Sequence, residues 1–189
     1  DVGLNPLVTI SPDGNTLLVT SQASGSVQVF TFNPVTLVFT LESTITDPLK
    51  APNGAVFKTD GSVFFVIDAG LKALVPFDAH AFTAFPRVCL AGEPENLISS
   101  VDGSVIFVSV NTTACNCNSG AVVPINTANF SVTQGIKVGT SPKGLAVTAD
   151  GQFLYVGDEN GNNLFVVALP TFAVTSVPVG PTDSLVFVP

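Results

Sequence analysis

The chain has 189 residues, enough to bury one sizeable core, and a formal net charge of −8. Its six basic residues are scattered, so no patch tracks a phosphate backbone; this argues against nucleic-acid binding, and an anionic membrane surface repels the chain. Hydrophobic residues make up 46% and charged residues only 11%, against about 25% charged in a typical soluble domain, yet no apolar run reaches the roughly 18 residues of a membrane span. Membrane insertion is therefore not expected. A surface so poor in charge either carries glycans or is buried against neighbours.

Four short runs rich in β-formers each precede an Asp-Gly pair: Leu7–Ile10, Ala55–Phe57, Leu97–Ile98 and Leu145–Thr148. The pairs are Asp13-Gly14, Asp60-Gly61, Asp102-Gly103 and Asp150-Gly151, with successive steps of 47, 42 and 48 residues. A stronger run follows each pair: Leu17–Val19, Val63–Ile67, Val105–Val108 and Phe153–Val156. Asp-Gly between two such runs predicts a tight hairpin, because glycine accepts the positive φ of the turn. Two further runs complete each repeat. They are Ser26–Phe32 and Val38–Leu41, then Ala73–Val75 and Arg87–Leu90, then Ala121–Ile125 and Gly135–Val138, and last Leu164–Val167 and Val174–Val177. No stretch supports a helix longer than about a turn.

A period near 45 residues with four strands in each repeat is that of a propeller blade. The expected fold is all-β: a β-propeller of four-stranded antiparallel blades, about four in this chain. It is read as one domain over 1–189, with repeats at about 4–46, 47–92, 93–139 and 140–180 and a closing strand at 181–189. Asp1–Gly3 reads as the tail of an outer strand and Ser184–Val188 as a new inner strand, so one terminus is expected to complete the sheet begun by the other. The start at Asp1, without Met or a leader-like segment, suggests a mature or trimmed product or a segment of something longer.

Ser11-Pro-Asp-Gly-Asn-Thr-Leu-Leu-Val19, and above all the stretch Val138–Gly157, resemble the YVTN-type β-propeller repeat. The likeness covers nearly the whole chain; it is sharpest in the fourth repeat and poorest in the third. It implies a fold shared with lactonase-like enzymes, surface-layer proteins and modules of larger extracellular proteins. Most of these have six or seven blades, and the lactonase-like ones are expected to carry His, Arg and acidic side chains at a central mouth.

Here the only histidine, His80, falls where the third strand of the second repeat runs into its outer turn, with no base or nucleophile in register. Arg87, the only arginine, falls on an outer strand and reads as a surface cation. Asp68, Glu93, Glu95, Asp158 and Glu159 fall in loops after strands, and Asp158–Asn163 resembles an oxygen-rich calcium loop. It lacks the EF-hand spacing and the terminal bidentate Glu, so a polar turn is the better reading. Phe57, Phe64, Phe65, Phe107, Phe153 and Phe165 fit packing between blades, whereas Phe30, Phe32, Phe39, Phe82, Phe85 and Phe130 leave aromatic area for contact with neighbours. No catalytic, cofactor or metal residues are assigned.

Cys89, Cys115 and Cys117 are candidates for a disulfide, with Cys115 and Cys117 inside a polar segment, Asn111–Gly120, read as an exposed loop. A bridge from Cys89 to one of that pair fits an oxidising compartment. The triplets beginning at Asn111 and Asn129 are N-glycosylation acceptors and point the same way, to a secreted, extracellular or cell-surface protein. The resulting expectation is a non-enzymatic structural or adhesive propeller module that associates with other protein chains, either copies of itself or different ones. The alternatives are a lactonase-like propeller hydrolase and a propeller that binds glycans or small molecules.

Overall fold

The computed structural model describes residues 6–112 and 119–179. It is all-β: the named elements are sixteen strands in four antiparallel sheets of four, with the strands of each sheet side by side in chain order. The first sheet is β1 (Pro6–Ile10), β2 (Thr16–Ser21), β3 (Ser26–Asn33) and β4 (Val38–Ile45). The second is β5 (Pro52–Phe57), β6 (Val63–Asp68), β7 (Ala73–Asp78) and β8 (Val88–Cys89). The third is β9 (Glu93–Ser99), β10 (Val105–Thr112), β11 (Ser119–Asn126) and β12 (Ile136–Lys137). The fourth is β13 (Pro142–Val147), β14 (Phe153–Asp158), β15 (Asn163–Ala168) and β16 (Ala173–Pro178). The chain divides into two compact units, Asp1–Cys89 and Leu90–Pro189, and each holds two sheets.

Each Asp-Gly pair forms the first hairpin of its sheet, at the same place in all four. The glycines have φ between 68° and 75°. Each Asp carboxylate accepts the N–H of the residue two positions on, from Asn15, Ser62, Ser104 and Gln152. A side chain two positions before the Asp donates to the same carboxylate: Ser11, Lys58, Ser100 and Thr148. These bonds hold all four carboxyls below the ordinary carboxylate value, Asp102 down to about 2.

A second turn recurs between the third and fourth strands, and no Asp-Gly marks it. Leu37, Phe82, Phe130 and Phe172 each take a positive φ of 55–59° and donate their N–H to the carbonyl four residues back. In three of the four, an Asn or Asp at that earlier position caps the next two free amides: Asn33, Asp78 and Asn126. Phe82 and Phe130 are therefore turn residues, and Phe82 also packs on the core of the first unit.

The core of each unit lies between its two sheets. In the first unit Leu18, Val27, Val29 and Ile45 of the first sheet meet Phe57, Phe64, Val66, Val75 and Phe77 of the second, with Phe64 and Phe77 stacked at 5.1 Å. In the second unit Phe107, Val122 and Ile136 meet Leu145, Leu154, Val156 and Val167. The alternation of β3 follows: Val27 and Val29 are buried in this core, while Gln28 and Phe30 lie on the other face, half-buried.

Several expectations are corrected. The outer strands of the second and third sheets shrink to Val88–Cys89 and Ile136–Lys137. The polar segment Asn111–Gly120 is not all loop, because Asn111 pairs with Gly120 and Thr112 with Ser119, extending the β10–β11 ladder. Cys115, Cys117 and the closing strand at 181–189 lie outside the described residues, and Cys89 is exposed.

Asp68 and Asp158 are also not loop residues. Each ends the second strand of its sheet with its side chain buried. Asp68 accepts the backbone N–H groups of Lys50, Ala51 and Leu71 at 2.8–3.2 Å. Asp158 accepts those of Thr140 and Ser141 at 3.2 and 2.7 Å. Both carboxylates thus tie down the segment that leads into the first strand of their own sheet, and their oxygens are committed to amides rather than to a cation.

Two stability predictions follow from these bonds. Asp68→Ala removes a buried carboxylate that holds three backbone amides and should cost about 3 kcal/mol in chemical denaturation, while Asp60→Ala, in an exposed turn, should cost far less. Because the four turn carboxyls have lowered folded pKa values, their stabilisation is complete above the ordinary carboxylate value and disappears as pH falls through the folded one. Asp102→Asn should accordingly flatten the loss of stability, followed by circular dichroism, between about pH 4 and about pH 2.

Candidate functional site

The leading ends of the first strands, opposite the Asp-Gly hairpins, carry the polar cluster of the second unit. Each first strand carries a proline at its first or second position: Pro6, Pro52, Pro94 and Pro142. Those prolines pair with Ser21, Asp68, Val110 and Asp158. In the second, third and fourth sheets the ladder slips just after the proline, and the extra residue is Asn53, Glu95 or, in the fourth, part of Lys143-Gly144. The first sheet pairs Leu7 in regular register. A bulge re-aims the side chain of its extra residue while the rest of the ladder stays fixed, so one frame presents a different group from each sheet.

In the third sheet that group is Glu95, half-buried. The Asn111 side-chain amide donates to its Oε1 at 2.8 Å across the β9–β10 ladder. Asn111 Oδ1 is buried and accepts no hydrogen bond from the described residues. In the fourth sheet Lys143 Nζ bonds Glu159 Oε1 at 3.0 Å, and the Glu159 amide is anchored on the Ser141 carbonyl. Burial pushes the Glu95 carboxyl above its ordinary value, and the nearby charges of Glu93 and Glu159 add to the rise. The Lys143 ammonium and the Asn111 bond act in the opposite direction. The cluster thus combines a carboxylate of raised basicity, an ammonium and an amide, which suits binding of a polyhydroxylated ligand and proton transfer.

The residues singled out from sequence fare differently. Glu93 and Glu159 lie near enough to Glu95 for their charges to act on it, as does Lys143, one of the six scattered cations, which bonds Glu159. The signal that could have found the pair is positional: Glu95 and Lys143 both follow the leading proline of their repeat. Among the described residues no group of three or more His, Cys, Asp or Glu side chains is placed to hold a metal ion. His80 and Arg87 are exposed. His80 lines a groove of about 470 Å3 between the Asp-Gly hairpins of the first unit, with Asp13, Phe57 and Asp60. An equivalent groove of about 380 Å3 in the second unit is lined by Val101, Asp102, Asp150 and Phe172. Asn129 is exposed in its turn, with Oδ1 accepting the Ser131 amide at 3.0 Å. Asn111, by contrast, is half-buried, and its side-chain nitrogen, the atom a glycan would modify, is engaged by Glu95.

No family model and no curated protein matches the sequence. Solved structures do match. The hydrazine synthase of Kuenenia stuttgartiensis superposes with a TM-score of 0.78 at 20% identity, over 93% of this chain and 49% of that one. A putative 6-phosphogluconolactonase of Bacteroides fragilis gives 0.76 at 19% identity, over 97% and 58%. The periplasmic gluconolactonase of Pseudomonas aeruginosa gives 0.73 at 22% identity, over 93% and 55%. The chain therefore spans about half the length of the structures it matches, and at these identities the likeness fixes the fold alone: a partial β-propeller of four-stranded blades.

Proposed function

We propose that this chain forms part of a lactone-hydrolysing propeller acting on sugar lactones, with Glu95 as the general base. The observation that carries this reading is Glu95 itself: a half-buried carboxylate of raised basicity, held by Asn111, with the Lys143 charge close enough to act on it. The fold shared with two gluconolactonase-type structures supports the substrate class. In the reaction Glu95 takes a proton from water, and the resulting hydroxide attacks the lactone carbonyl carbon. Negative charge gathers on the carbonyl oxygen, where the Lys143 ammonium stabilises it. The ring C–O bond then breaks, and the leaving alkoxide takes the proton back from Glu95, giving the open hydroxy acid.

A second reading, a secreted structural or adhesive module, draws on the apolar residues left exposed on β1, β4 and β16 and on the exposed sequon at Asn129.

The lactonase reading is tested on the whole protein with glucono-δ-lactone, followed by acid release. Glu95→Gln should lower kcat/KM by about 10²- to 10⁴-fold. The base must be deprotonated and its pKa is raised, so the acid limb of the profile should lie above the ordinary glutamate value of 4.5. Lys143 favours the carboxylate, so Lys143→Met should move that limb to still higher pH. A Gln variant with full activity excludes Glu95 as the base, and absence of turnover by the wild type favours the structural reading.

A further inference from the structure

Within each unit the Asp-Gly hairpins of the two sheets lie side by side. A Cβ placed on Gly151 would stand 3.9 Å from the Val101 side chain, and one on Gly61 would stand 3.9 Å from that of Pro12. Val101 and Pro12 each precede the Asp of their own hairpin, so the two grooves that open there are built alike.

The two grooves differ in charge. In the first unit Asp60 is paired with Lys58 Nζ at 2.7 Å, and His80 lines the groove as well. In the second unit Ser100 takes the place of that lysine, two residues before the Asp. Asp102 accepts from Ser100 and Ser104, and Asp150 from Thr148 and Gln152, all uncharged donors. Asp150 makes those bonds through Oδ1 alone. The same bonds keep both carboxyls ionised at neutral pH. No Lys, Arg or His lines this second groove, and most of the remaining wall is apolar, formed by residues such as Val101, Phe107, Leu169 and Phe172. Val101 and Phe172 are 55% and 42% exposed, so this apolar wall is open to solvent.

We propose that the groove of the second unit binds a small organic cation, an ammonium group carried on an apolar body. Asp102 and Asp150 hold the charge, and the body lies against Phe107, Leu169 and Phe172. Charge complementarity selects this class. An anion would meet two like charges, and a neutral apolar ligand would desolvate two carboxylates without compensating them. A volume of about 380 Å3 accommodates one such molecule. The site lies at the end of the sheets opposite Glu95; it goes beyond the lactonase reading and does not depend on it.

The test titrates the whole chain with 4-phenylbutylamine and with the uncharged 4-phenylbutanol, followed by isothermal titration calorimetry. The amine should bind saturably at one site, about tenfold or more tightly than the alcohol. Asp150→Asn keeps an oxygen for the turn bonds and removes the charge, so it should weaken the amine about fivefold and leave the alcohol unchanged. Val101→Lys sets a tethered ammonium at the exposed wall and should abolish amine binding; circular dichroism melting checks that each variant folds. Asp60→Asn, in the first unit, should leave the affinity at its wild-type value. No saturation up to about 10 mM amine would overturn the proposal. Equal affinity for amine and alcohol would also overturn it, since apolar filling alone would then drive binding. So would wild-type affinity in both Asp150→Asn and Val101→Lys, or a loss in Asp60→Asn that matches the loss in Asp150→Asn.

Discussion

A four-stranded antiparallel sheet with apolar residues on both faces cannot bury them by itself, and the rest of this structure follows from that constraint. Each unit resolves it by laying one sheet on another, so that Leu18, Val27 and Ile45 are covered only because Phe57, Phe64 and Phe77 stand opposite. Burial of each such side chain contributes about 1.5–3 kcal/mol, which far exceeds what the exposed ion pairs provide. The same need explains the composition. A chain with 11% charged residues is tolerable when most sheet faces are interior, and it leaves apolar area wherever a sheet has no neighbour.

Stacking sheets requires the chain to leave one and enter the next at a fixed place. Asp68 and Asp158 meet that requirement with buried carboxylates that gather the amides ahead of Pro52 and Pro142. The bulge that follows each of these prolines is a local irregularity within an otherwise regular ladder, and at Pro94 and Pro142 it displays Glu95 and Lys143. Rigid support and chemical variability therefore occupy neighbouring positions. A residue freed from the ladder by a bulge can change between repeats without cost to the sheet, whereas in the second and fourth sheets the aspartate opposite the proline is held by the amides it accepts.

Much of this was legible in the sequence, and the remainder was hidden for physical reasons. The Asp-Gly pivots placed every first hairpin, because positive φ at glycine and an Asp side chain able to cap its own turn are local properties. The third–fourth strand turns escaped notice because Leu37, Phe82, Phe130 and Phe172 adopt positive φ despite bulky side chains. Their marker, an Asn or Asp four residues earlier, is missing at Ala168. Asp68 and Asp158 looked like loop carboxylates, since burial is invisible in a run that ends Val-Ile-Asp or Val-Gly-Asp. Glu95 and Lys143 stand 48 residues apart, and the charge of one reaches the other only because β9 and β13 pack side by side.

That sheet-on-sheet burial is the governing interaction can be tested at one repeat position seen in two environments. Ile45 and Val177 occupy equivalent sites in the fourth strands of their sheets, opposite Val27 and Leu164, the first buried in the core of its unit and the second exposed. Chemical denaturation of Ile45→Ala and Val177→Ala, at a concentration where the chain is monomeric, compares them directly. The account predicts a loss of about 2–5 kcal/mol for Ile45→Ala and about 1 kcal/mol or less for Val177→Ala. Equal losses at the two sites would contradict it.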